Sequence, residues 1–140
     1  MSSPIGVYGV EHVGVLARDT ETLATWYKET FGATEVSRGT DTPAVIFLRF
    51  GGGALLELVP AADSPAVGPS DHVHVCLSVR DIEAAERGLR ERGIELERAI
   101  FTVYEGSRVA FSRDPEGNLL QLAQRVTDSA IDDAVYGAGR

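Results

Sequence analysis

Two histidines, one glutamate and one glutamine occupy matching places in the two halves of the 140-residue chain. His12 and His74 lie 74 − 12 = 62 residues apart, and Glu57 and Gln121 lie 121 − 57 = 64 residues apart. Imidazole nitrogen, carboxylate oxygen and amide oxygen together suit one divalent ion such as Zn, Ni, Co, Mn or Fe(II). Because the set contains no thiolate, we expect positions left open for water or substrate rather than a closed structural zinc site.

The predicted strands put these polar side chains on apolar faces. Side chains alternate along a strand, so Glu57 shares its face with Leu55 and Val59, and a buried, unpaired carboxylate there is costly. A shared ion would compensate the charge. The alternative is that the histidines hydrogen-bond in the core and that Glu57 pairs with an arginine such as Arg49. The duplication favours the ion, because a pseudo-twofold axis would bring the matching residues together.

Two other side chains are interpreted as lying outside the ligand set. His72 shares a face with His74 but has Val10 at its counterpart position, so we expect it at a strand end or pocket rim. Cys76 is the only cysteine, lies between valine and leucine, and is expected to pack in the core. A chain with one cysteine forms no internal disulfide, and its first residues do not show the basic segment and long apolar segment of a secretory signal. Together these features predict a cytoplasmic location.

A repeated order of elements must position the four side chains. Residues 12–21 and 74–83 share His, Val, Arg, Asp and Glu in register, and residues 55–58 resemble 119–122. In each copy a strand precedes a helix capped by Asp19 or Asp81, and Gly32 or Gly93 follows the helix. Three strands complete each βαβββ module, predicted at 34–38, 44–50 and 54–59 in the first copy and at 95–100, 107–112 and 119–123 in the second.

These elements predict an α+β fold in which two tandem βαβββ modules form curved, half-open mixed sheets around a central cup. We expect one domain over 1–140, with a first module at 8–60, a linker at 61–70, a second module at 71–125 and a C-terminal tail at 126–140. The tail is acidic and is expected either to fray or to fold over a partner or pocket.

Composition excludes two classes of partner. The net charge is −8 and the 13 Lys and Arg are scattered, which argues against nucleic acid. No apolar run approaches the roughly 18 residues of a transmembrane helix, which argues against a membrane role.

The motifs resemble those of the vicinal oxygen chelate superfamily, which includes glyoxalase I, methylmalonyl-CoA epimerase, extradiol dioxygenases, fosfomycin resistance enzymes and bleomycin-binding proteins. The similarity covers residues 8–124 and is carried by four segments: 11–19, 56–58, 74–81 and 111–122. It implies paired βαβββ modules, often in a homodimer, with metal positions at His12, Glu57, His74 and Gln121. Most members have glutamate where this chain has Gln121.

The resemblance implies three candidate functions for a small-molecule site. The first is a metal-dependent lyase or isomerase that acts on a small carbonyl substrate through an enediolate. An amide cannot serve as a general base, so proton transfer would fall to Glu57. The second is a binding or antibiotic-resistance protein of the bleomycin-resistance type, and the third is an Fe(II) dioxygenase. The sequence does not name the substrate or the metal, nor whether a site forms within one chain or across a dimer.

Overall fold

The computed structural model describes residues 5–6, 10–61 and 72–137. The chain divides into two compact units, residues 1–66 and 67–140, and each is described by itself. The predicted linker at 61–70 lies outside the described residues except for Ala61. The predicted module bounds and the central cup therefore stay predictions.

The first unit is a four-stranded mixed sheet covered by one helix. Its strands have the order β1-β4-β3-β2, with β1 and β4 parallel and the other pairs antiparallel. The elements in chain order are β1 (His12–Ala17), α1 (Thr20–Phe31), β2 (Thr34–Arg38), β3 (Ile46–Arg49) and β4 (Leu55–Pro60).

The second unit repeats this order and adds a C-terminal helix. Its strands have the order β5-β8-β7-β6, again with one parallel pair, β5 and β8. A short 3-10 turn at Tyr104–Gly106 joins β6 to β7. The other elements are β5 (His74–Ser78), α2 (Ile82–Glu91), β6 (Phe101–Thr102), β7 (Arg108–Arg113), β8 (Leu119–Gln124) and α3 (Ala130–Tyr136). Two mixed sheets with helices confirm the α+β class.

The helix boundaries follow from the capping residues. Asp19 accepts a hydrogen bond from the backbone N–H of Thr22, and Gly32 ends α1 in the left-handed conformation at φ 71°. Asp81 accepts from Glu83 N–H and Ala84 N–H at the start of α2. These caps confirm the predicted beginnings of both helices.

Each sheet has one apolar face under its helix. In the first unit the buried side chains of β3 and β4 (Ile46, Leu48, Leu56 and Leu58) lie against α1. In the second unit Leu120 and Leu122 of β8 lie on the α2 side, with Ile82 and Leu89 buried on the helix. The polar candidates alternate with these leucines and therefore lie on the opposite face of each sheet.

One prediction about the second copy needs correction. The strand predicted at 95–100 is wrong, because no ladder joins this segment to β7. Its contacts with β7 are isolated bonds: Glu97 N–H donates to Phe111 C=O, the Ser112 hydroxyl donates to Glu95 C=O, and the Arg113 guanidinium donates to the Glu97 carboxylate. A ladder forms only at Phe101–Thr102. The tail contains helix α3, which begins after Ser129, whose hydroxyl accepts from Asp132 N–H. Residues 138–140 of the tail lie outside the described part of the chain.

Candidate metal centre

His12 and Glu57 face each other across the parallel pair of strands β1 and β4. The register places Gly14 beside Glu57, so His12 is its diagonal neighbour on the same face. His12 Nε2 lies 3.6 Å from Glu57 Oε2, and the two side chains are 37% and 23% exposed. The imidazole and the carboxylate predicted from the sequence are therefore brought together on an accessible face.

Gly14 leaves room for this pairing. A Cβ atom at Gly14 would lie 3.6 Å from Glu57 Oε1 and 3.7 Å from Val59 Cγ2, so the carboxylate already lies at van der Waals distance from this point of β1. Side chains longer than alanine at position 14 would compete with the carboxylate for the same space. The glycine therefore helps to define where the Glu57 oxygens lie.

The other ring nitrogen of His12 is held by its neighbour in sequence. His12 Nδ1 donates to Glu11 Oε1 at 2.9 Å. A neutral imidazole that donates through Nδ1 carries its lone pair on Nε2, the nitrogen that faces Glu57. Metal-binding histidines commonly have this arrangement, in which the non-ligating nitrogen donates to a carboxylate or carbonyl.

His74 in the second unit is held in the same way by a backbone oxygen. Its Nδ1 lies 2.6 Å from the carbonyl oxygen of His72. A carbonyl accepts hydrogen bonds and cannot donate them, so Nδ1 carries the proton and Nε2 has the lone pair. His72 thus contributes its backbone to the orientation of His74, a role that the sequence analysis missed.

Gln121 lies on the same face of the second sheet as His74. It is paired with Cys76 of β5 and with Phe111 of β7. The His74 ring meets the edge of Phe111 with ring centroids 5.5 Å apart, and His12 meets Phe47 in the same way at 5.6 Å. The two phenylalanines are 111 − 47 = 64 residues apart, the spacing of Glu57 and Gln121. That spacing was the signal in the sequence that would have identified them.

The four-residue ligand set stays a prediction. Among residues 5–6, 10–61 and 72–137, no three or more His, Cys, Asp or Glu side chains form a group that could hold an ion. The structure does bring His12 to Glu57, and it places His74 and Gln121 on one face of their own sheet. Each unit therefore presents half of the predicted donor set.

Cys76 is not the buried core residue that the sequence suggested. It is exposed and shares its sheet face with His74, because residues 74 and 76 alternate with the half-buried Val75. Partial desolvation raises the pKa of the Cys76 thiol, and the positive charge of Arg125 opposes the shift. The side chain is therefore a neutral thiol beside Gln121 at neutral pH.

The comparison with protein families agrees with the fold. Residues 9–122 match the model of the Glyoxalase/Bleomycin resistance protein/Dioxygenase superfamily, and the chain belongs to this family. An uncharacterized Bacillus subtilis protein, YwbC, is 26% identical in an alignment of 122 residues that covers 83% of this chain and 97% of YwbC.

Two solved structures illustrate the range of relatives with this fold. Lactoylglutathione lyase from Agrobacterium tumefaciens is 21% identical, with a TM-score of 0.68 over 87% of this chain and 96% of its own. TnmS3, an antibiotic binding protein from Streptomyces sp. CB03234, is 24% identical, with a TM-score of 0.70 over 86% of this chain and 98% of its own. At these identities the likeness shows the fold alone. No helix among the described residues has the length and apolar character needed to cross a bilayer.

Proposed function

We propose that the protein is a metal-dependent lyase or isomerase of the glyoxalase I or epimerase type, acting on a small carbonyl substrate. The observation that carries the proposal is the 3.6 Å approach of His12 Nε2 to Glu57 Oε2, with the lone pair of the imidazole on the nitrogen that faces the carboxylate. The fold that the chain shares with a lactoylglutathione lyase supports this class of reaction.

The residues present fit a divalent ion. Two donors that each lie about 2.1 Å from one ion, at tetrahedral to octahedral angles, are roughly 3.0–3.5 Å apart. The 3.6 Å distance between His12 Nε2 and Glu57 Oε2 is only slightly longer than this range. His74 donates its Nδ1 proton to a carbonyl, so in the neutral ring the lone pair lies on Nε2, as in His12, and can bind a metal ion.

His12, Glu57, His74 and Gln121 would hold the ion, with Zn, Ni, Co, Mn and Fe(II) all compatible with these donors. A bound ion would supply positive charge to two neighbouring oxygens of the substrate and so stabilise the charge that develops on them. Gln121 would contribute a neutral oxygen and take no part in proton transfer.

Glu57 would act as the general base. Its carboxylate is partly exposed, so an oxygen that is not bound to the ion can accept a proton from the carbon beside the substrate carbonyl and, in an isomerisation, return it to the neighbouring carbon. The Glu11 carboxylate would keep His12 in the tautomer that accepts through Nε2, which prevents His12 from donating a proton to Glu57.

The test is turnover by metal-loaded protein of a glutathione hemithioacetal and of an acyl-CoA epimer. Glu57→Gln keeps the shape of the side chain and removes the base, so we expect kcat to fall by about 100-fold or more. Glu29→Gln, at an exposed position of α1, is the matched control and should retain the wild-type rate. Equal rates for Glu57→Gln and the wild type would contradict the assignment of Glu57.

A second candidate is a protein that binds and sequesters a small molecule in the same place. It is favoured by the aromatic rings beside both histidines and by the antibiotic-binding relative TnmS3. Tight binding of an aromatic natural product by metal-free protein, without turnover of either carbonyl substrate, would support it. The third candidate, a dioxygenase, requires Glu57 as the carboxylate of a two-histidine triad and predicts oxygen uptake with Fe(II) and a catechol.

We also propose that the chain forms a homodimer. Strands β1 and β5 lie at the edges of their sheets, and several large apolar residues on or just before them are exposed. These are Val10, Val13, Leu16 and Val73. Exposed apolar side chains at the edge of a sheet favour association. Light scattering should give twice the 15.0 kDa mass of the chain, and the mass of one chain would contradict the proposal.

A further inference from the structure

The second unit has a row of aromatic and cationic contacts that does not recur among residues 5–6 and 10–61 of the first unit. His74 meets Phe111 at 5.5 Å between ring centroids, Phe111 lies 6.2 Å from Phe101, and the guanidinium carbon of Arg98 lies 3.9 Å from the centre of the Phe101 ring. In the first unit, Phe47 is paired across the sheet with Ser37. The row begins at a candidate ligand and ends at a positive charge.

The two phenylalanines offer flat apolar surface. Their rings are inclined by only 24°, and a centroid separation of 6.2 Å exceeds the ~3.5–4.0 Å contact distance between stacked carbon planes. The rings are therefore laterally offset, and each leaves part of its face uncovered by the other. Both side chains are only half-buried, so the part of this surface that Arg98 does not cover is accessible. A planar aromatic group is the ligand that such a surface stacks with most favourably.

Arg98 provides charge at the far end of the row. Arg108 and Arg113 of β7 are paired with Glu83 and Glu97. In the described part of the chain, by contrast, the exposed Arg98 has the Phe101 ring as its contact and no carboxylate partner. A guanidinium has five N–H donors, so it can lie over a ring and still bind a carboxylate at its edge.

We propose that Phe111, Phe101 and Arg98 form a subsite for a planar aromatic anion, in which the aryl group stacks on the rings and its carboxylate pairs with Arg98. The inference rests on the proposed small-molecule function and names the class of ligand. The reacting end of such a ligand lies toward His74, since Phe111 contacts the His74 ring. In the described part of the first unit, Ser37 lies beside Phe47 and no second ring is found at that place.

The test is calorimetric titration of chelator-treated, metal-free protein with three probes: 2-naphthoate, the neutral 2-naphthalenemethanol and the non-aromatic cyclohexanecarboxylate. We expect 2-naphthoate to bind about tenfold tighter than either of the other probes. Only 2-naphthoate has both an aromatic group that stacks on the phenylalanine rings and a carboxylate that pairs with Arg98. If either analogue binds as tightly as 2-naphthoate, the proposed subsite is overturned.

Variants separate the two contributions. Arg98→Gln should weaken 2-naphthoate roughly five- to tenfold and leave the neutral alcohol unchanged, whereas Phe101→Leu should weaken both aromatic probes. Arg87→Gln, an exposed position on α2 with the same loss of charge, is the control. Equal affinities for 2-naphthoate in Arg98→Gln and Arg87→Gln would overturn the proposal even if Phe101→Leu does not fold. Because no metal is present, these outcomes are independent of the Glu57→Gln assay, which tests the proposed chemistry alone.

Discussion

His12 and Glu57 lie on parallel neighbouring strands with Nε2 and Oε2 3.6 Å apart. Their meeting depends on register, because Gly14, two residues after His12, is the partner of Glu57. A slip by one residue would turn Glu57 toward α1 and separate the pair. The relationship between these two residues thus connects the packing of the first unit with its proposed chemistry.

Replacing Gln121 by glutamate should strengthen binding of a divalent cation. The change adds a negative charge at a proposed ligand position with little change in side-chain shape, so we expect affinity to rise on the order of tenfold. Competition with a chromophoric chelator measures the change. Thr25→Glu, on the exposed side of α1, adds the same charge elsewhere. An equal effect of the two substitutions would show that only net charge matters and that Gln121 is not a ligand.

The matching core leucines should be equally important to their own units. Leu58 and Leu122 occupy equivalent positions under α1 and α2 and are 0% and 1% exposed. Truncation of either to alanine should lower the free energy of unfolding by roughly 2–5 kcal/mol, through lost burial and a residual cavity. Urea unfolding measures this loss. Leu16→Ala, at a residue 38% exposed, is the control, and a similar loss there would contradict the assignment of the core faces.

An ion-pair cluster on the first unit should make stability fall in acid. Hydrogen bonds from Arg38, and to a smaller extent from Lys28, lower the pKa of Glu35 from its ordinary 4.5 to about 2. A lowered pKa means that the carboxylate stabilises the fold above about pH 4.5 and that this contribution is lost as pH falls toward 2. The effect should be modest and weaker in high salt, because the cluster is exposed.

Urea unfolding between pH 7 and pH 2.5 tests this contribution. Glu35→Gln should lose part of the pH dependence of the wild type, and Glu29→Gln should keep it. A Glu35→Gln protein with the full wild-type dependence would show that the cluster does not contribute.

The sequence predicted those helices and strands that are marked by neighbouring residues and that occur in both copies. Asp19 and Gly32 set the ends of α1 through capping, and alternating leucines set the buried face of β4, so both elements were recognisable without coordinates. The strand expected at 95–100 was wrong because apolar alternation does not reveal whether a partner strand completes a ladder. The structure gives this segment only isolated bonds to β7.

The candidate site was predicted by residue type and spacing, but its finer geometry was not. Duplication singled out His12 and Glu57, whose proximity the structure shows. The proton position on His74 depends on the backbone oxygen of His72, and a carbonyl has no signature in sequence. The position of Arg98 over Phe101 depends on the path of an irregular segment, which periodicity does not describe.

The most direct test of the account is a metal titration of the wild type and of single alanine variants at His12, Glu57 and His74, with Co(II) absorption as the readout. We expect one ion per site in the wild type and an affinity at least about tenfold lower in each variant. His72→Ala is the matched control, because it removes an imidazole but keeps the carbonyl that orients His74. Wild-type affinity in His12→Ala and His74→Ala, or an equal loss in His72→Ala, would contradict the proposed centre.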